Sequence, residues 1–136
     1  MKAPFPPQLH YRADLDVFVV CWTTDSNLLE LQAEHEAALA AGRAHGTSRW
    51  LLDIRFRPAP SAQATHWVAF DWLPRAAAAL APACPRFAYL MSAALGVAAR
   101  TDPALLPSLH AVTRPGLPFE LCLFNDEAAA LRWLTA

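Results

Sequence analysis

The chain has 136 residues, 55% of them hydrophobic and 17% charged, with a formal net charge of −1. That is the size and apolar content of one domain with one core, and it excludes a disordered chain. The arginines are scattered without a run and Lys2 is the only lysine, so nothing electrostatic points to nucleic acid.

The opening stretch MKAPFPPQLH has no apolar centre and does not read as a signal peptide; residues 1–7 are expected to be a flexible, proline-rich start. No apolar run approaches the ~20 residues of a membrane span, and a cytoplasmic protein is expected. Cys21, Cys84 and Cys122 lie far apart without Cys-x-x-Cys spacing, which argues against zinc. Cys21 and Cys122 sit inside apolar runs and read as core, where a free thiol behaves as a small hydrophobe.

Residues 9–13 alternate in polarity, Asp14 to Asp16 suit a tight turn, and residues 17–23 form a β-branched and aromatic run. Together they predict an antiparallel hairpin. A helix follows, with Asn27 and Glu30 spaced as a capping box and Asp25 or Ser26 as alternative caps. Leu28, Leu31, His35, Ala38, Leu39 and Gly42 fall on one face, and Gly46 ends the helix.

RWLLDI (49–54) reads as a third strand, buried on both faces. Pro58 and Pro60 break the chain, and Ser61 can cap a second helix, SAQATHWVAFDWLPRAAAALA. Its inner stripe is Val68, Trp72 and Ala76 with Ala69 and Leu73, and Pro74 should kink or split it. RFAYLMS is a fourth strand, followed by a short helix near 93–99 and another after the Thr101-Asp102-Pro103 start signal. PFELCLF is a fifth strand. NDEAAALRWLTA is a closing helix capped by Asn125, with Asp126 and Glu127 near its positive end.

This order predicts an α/β fold: a single-layer, mixed but mostly parallel sheet that opens with an antiparallel hairpin, with helices packed on it and no second domain. An opening hairpin, alternating helices and strands, and a short closing helix resemble the STAS domain, the SpoIIAA-like fold of anti-sigma-factor antagonists. The third-strand Trp50 to Arg55, then WLPR (72–75) and FNDEAAALRWL (124–134), also resemble uncharacterised bacterial STAS-like proteins. The resemblance spans nearly the whole chain. It implies a regulatory domain that acts by binding a protein partner, whether another copy of itself or a regulatory protein. Signalling members carry Asp-Ser-Ser/Thr-Gly after the third strand, with a phosphorylated serine. Here Asp53-Ile54-Arg55-Phe56 stands at that place, so the phospho-serine switch does not carry over.

Arg55 and Arg57 follow a strand and precede a helix start, where α/β sheets hold ligands. They read either as the mouth of an anion pocket or as an arginine paired with Asp53 beside a solvated one. His35, on the apolar stripe of the first helix, is either a pocket residue or a border histidine bonded to a backbone carbonyl. Trp67, Phe70 and Trp72 cannot all lie under one face of the second helix. They read as an aromatic interaction surface, or as a wide core stripe on a kinked helix.

His66, Asp71 and Ser61 make a triad only on paper, because residues five apart on a helix do not face each other. Cys84 reads as an exposed thiol between prolines, with nothing to lower its pKa. The expectation is therefore a non-enzymatic STAS-like interaction domain without cofactor or metal. The alternative is a carrier of a small apolar or anionic ligand.

Overall fold

A computed structural model describes residues 7–58 and 61–136. The expected flexible start lies outside the described residues except for Pro7, and so does Pro60. Five strands form one sheet in the order β1-β2-β3-β4-β5. They are β1 (Gln8–Arg12), β2 (Val17–Cys21), β3 (Arg49–Asp53), β4 (Arg86–Leu90) and β5 (Glu120–Phe124). β1 and β2 pair antiparallel, and every later neighbour is parallel. The chain is thus an α/β fold with the single mixed sheet expected from the order of its elements.

The hairpin turns where the sequence placed it, with Asp16 in the left-handed region at φ 54°. Beyond the strand ends the ladder runs on: Trp22 N–H donates to Asp53 O, Ile54 N–H to Leu90 O and Met91 N–H to Phe124 O. These bonds explain why the apolar runs extend a residue or two past each strand.

Helix α1 (Leu28–His45) has the full capping box: Glu30 N–H donates to Asn27 Oδ1 at 2.8 Å, and Asn27 N–H to Glu30 Oε1 at 3.0 Å. Gly46 ends it at φ 67°. The second helix does not simply kink. It winds as α2 (Ala62–Trp67), widens into a π-helical stretch (Val68–Trp72) and continues as α3 (Leu73–Leu80). Pro74 lacks an N–H and would meet the carbonyl one turn back, and the wider turn before it relieves both problems. Leu73 N–H accordingly reaches five residues back to Val68 O.

After α4 (Ala93–Thr101), Asp102 makes a turn instead of a helix start: its Oδ1 accepts from Ala104 N–H and its carbonyl from Leu105 and Leu106 N–H. Helix α5 (Leu106–Thr113) begins only after it. In α6 (Glu127–Thr135) the cap is Asp126, whose Oδ2 accepts from Ala129 N–H at 2.9 Å, not the expected Asn125.

Strand side chains alternate between two faces. On one face Phe18, Val20, Trp50, Leu52, Phe87 and Tyr89 pack under α1, the π-helical stretch, α3 and α5. On the other, Val17, Leu51, Ala88 and Leu90 pack against Ala130 and Leu134 of α6. Trp50, Trp72 and Phe87 form the aromatic centre of the larger core, with ring centroids 5.9–6.2 Å apart in tilted or edge-on contacts. Cys21 and Cys122 were expected in the core, but both are half-buried. They point to the face where one helix covers less of the sheet.

Candidate functional site

Where β2 to β5 end, on the face covered by α1, α2 and α5, the fold forms a half-open cavity of about 440 Å³. Ligand pockets of α/β folds sit at this end of the strands, and their usual volumes run from ~300 to ~1,000 Å³. The floor is Trp22, Ile54, Tyr89, Met91, Leu121 and Leu123 from the ends of four strands. The roof comes from Leu31 and His35 of α1, Ala64 of α2, Val68 and Ala69 of the π-helical stretch, and Ser108 and Val112 of α5. Small residues opposite the sheet, Ala64, Ala69 and Ser108, leave the space unfilled.

Three polar groups stand out in this apolar wall. Arg57 lines the cavity with its side chain only 10% exposed. Among the described residues its ionic partner is Asp25 Oδ1, 3.7 Å away and beyond hydrogen-bonding distance. Asp25 itself is mostly exposed. The guanidinium lies over the Trp22 ring, 5.7 Å from its centroid, a cation–π contact that holds it across the mouth.

Tyr89 is 9% exposed, and its hydroxyl is buried without a hydrogen-bond partner among the described residues. Burial raises its pKa, while the nearby Arg57 charge pulls it down, so the hydroxyl stays protonated and is a donor.

His35 Nδ1 lies 2.8 Å from Leu31 O, and because a carbonyl can only accept, Nδ1 carries the proton. Its ring stacks on Trp22 at 4.9 Å and meets the edges of Trp72 and Trp67 at 4.9 and 5.5 Å. Burial among these rings pushes its pKa down to about 4; the Leu31 bond opposes the shift and the Arg57 charge adds to it. His35 is therefore neutral near pH 7, with the Nε2 lone pair free of a proton. Both sequence readings meet in it: a carbonyl-bonded border histidine that also lines a cavity.

Arg55 is not part of this site. It donates from Nε to Asp53 Oδ1 at 3.0 Å and from Nη2 to Asp53 Oδ2 at 2.8 Å, a two-point pair. Strand alternation turns Asp53 to the α6 side, with Cys21 Sγ 3.8 Å from its Oδ2, so Arg55 goes with it to the opposite face of the sheet. The expected pair of arginines at one mouth is thus split, one to each face.

The expected aromatic surface also divides. Trp72 is 0% exposed, with Nε1–H donating to His35 O at 3.2 Å, so it is core and not an interaction surface. Trp67 is half-buried beside His35, while Phe70 is 49% exposed and packs on His66 at 4.5 Å. The helix continues through this stretch, and its turn sends the three rings in three directions. The paper triad has other roles: Ser61 caps α2, His66 rests on Phe70, and Asp71 accepts from Arg75 at 2.7 Å.

Tyr89 and Ser108 were not singled out by sequence reasoning. A tyrosine inside an otherwise apolar strand was the available signal, since a buried phenol normally finds a partner. Among the described residues no cluster of histidine, cysteine and carboxylate side chains could hold a metal ion. No helix among them is long and apolar enough to cross a membrane. Compared with protein-family models, curated proteins and solved structures, the chain gives no match.

Proposed function

We propose that this protein is a non-enzymatic binding domain whose cavity takes up a small, largely apolar molecule. One observation carries the reading: the space of about 440 Å³ at the strand ends, mostly apolar in its walls, lined by a tyrosine whose buried hydroxyl has no hydrogen-bond partner among the described residues. A largely apolar cleft of this volume at the strand ends is the usual form of a small-molecule site, and buried polar groups without partners are rare. A ligand would fill the first and satisfy the second.

The test is uptake of N-phenyl-1-naphthylamine, a neutral dye that fluoresces in apolar surroundings. The wild type is expected to bind it at one per chain, and Val112→Trp, which fills the cavity, is expected to lose it. Ala64→Leu serves as a second filling variant if Val112→Trp does not fold. Equal fluorescence in wild type and a folded filled variant would overturn the reading.

A second reading is the interaction role that the resemblance to STAS domains implies, in the bacterial cytoplasm and without the phospho-serine switch. Phe56 supports it: 63% exposed, it follows β3 where signalling members carry their switch, with the Arg55 guanidinium 5.6 Å from its ring centroid. Pull-down of a partner by the wild type and not by Phe56→Ser would favour this reading.

A further inference from the structure

Resting on the cavity reading above, we infer that the ligand is an amphipathic carboxylate whose anionic head is held by Arg57 and Tyr89 and whose apolar body lies between the sheet and α5. Arg57 brings a full positive charge, and its side chain is 10% exposed. At 3.7 Å, Asp25 offsets that charge without forming a hydrogen bond. Among the described residues the guanidinium N–H groups have no hydrogen-bond acceptor, and a planar fork of donors matches a carboxylate. Tyr89 adds a protonated hydroxyl that has nothing to donate to among the described residues. Arg57, Tyr89 and His35 line the same cavity.

The charge balance limits the head group. One arginine, partly offset by Asp25, and a neutral His35 suit a monoanion and not a phosphate dianion. The Glu34 carboxylate nearby does not line the cavity and is occupied: its Oε1 accepts from Trp22 Nε1–H at 3.1 Å and from Ser26 Oγ–H at 2.8 Å. Away from Arg57 the wall is mostly apolar, Ser108 being one polar exception, with Leu73, Leu109 and Leu123 in reach of a hydrocarbon body.

Decanoate and decanol have the same chain length and differ in the head, and each can be titrated against bound N-phenyl-1-naphthylamine. Decanoate is expected to displace the dye about tenfold more tightly than decanol, the ratio that one charge-assisted contact supplies. Arg57→Gln should abolish that preference, read as the ratio of decanoate to decanol displacement within the same variant. Tyr89→Phe should narrow it. Equal displacement by the two heads, with the dye still bound, would overturn the carboxylate assignment and leave the cavity reading standing. Failure of the wild type to take up the dye would overturn both.

Discussion

The Trp50 indole fills the space that a side chain at position 42 would occupy. Gly42, on the buried face of α1, is followed by that ring so closely that a Cβ would overlap its six-membered edge. Trp50 is 0% exposed and cannot swing away, because Trp72, Phe87 and Phe18 surround it. Gly42→Ala, a mild change on an open helix, should here cost about 1–3 kcal/mol, as overpacking does. Chemical denaturation measures it, and an unchanged midpoint would contradict the contact.

Leu52 is 0% exposed at the centre of the sheet, under the larger core. Leu52→Ala is expected to cost about 2–5 kcal/mol by lost burial and the cavity left behind. The same denaturation experiment reads it.

Stability should depend on pH through His35. An unfolded histidine titrates near 6.5, whereas in the fold burial brings His35 to about 4. Below pH 6.5 the unfolded chain therefore binds a proton that the folded chain refuses. The stability contributed is complete above that pH and is lost as pH falls toward 4, by about 3 kcal/mol in all. Wild type and His35→Leu should diverge in slope across that window. Parallel profiles would remove His35 as the cause.

Tyr89→Phe should leave the ligand-free protein as stable as the wild type or raise it by about 1–2 kcal/mol, since it deletes a buried hydroxyl that lacks a partner. Thermal unfolding without ligand is the measurement. A clear loss of stability would mean that the hydroxyl is bonded in solution.

Asp126→Ala should cost about 1 kcal/mol by removing the α6 cap, and Asn125→Ala should cost much less. Equal losses would return the cap to Asn125.

Local pattern was sufficient for most of the fold. Alternation across 9–13, the β-branched run from 17, the Asn27 and Glu30 spacing and the apolar third strand each express backbone preference and burial within a few residues. Helical crossovers then make later strands parallel. Where two adjacent residues competed for one role, as Asn125 and Asp126 did, the pattern alone did not choose. Nor did it reveal that a wider helical turn would accommodate Pro74.

The site depended on tertiary structure for a simple physical reason. Past the end of β3, two positions of chain decide which face of the sheet a side chain joins. Asp53, pointing to the α6 face, captures Arg55 there, whereas Arg57 folds over Trp22 toward the cavity. The sequence by itself determined the elements, their order and the chemistry available at the strand ends. Only the packing of α1, α2 and α5 over the sheet decided that a cleft remains, and that a neutral histidine, one arginine and a phenol without a partner among the described residues line it.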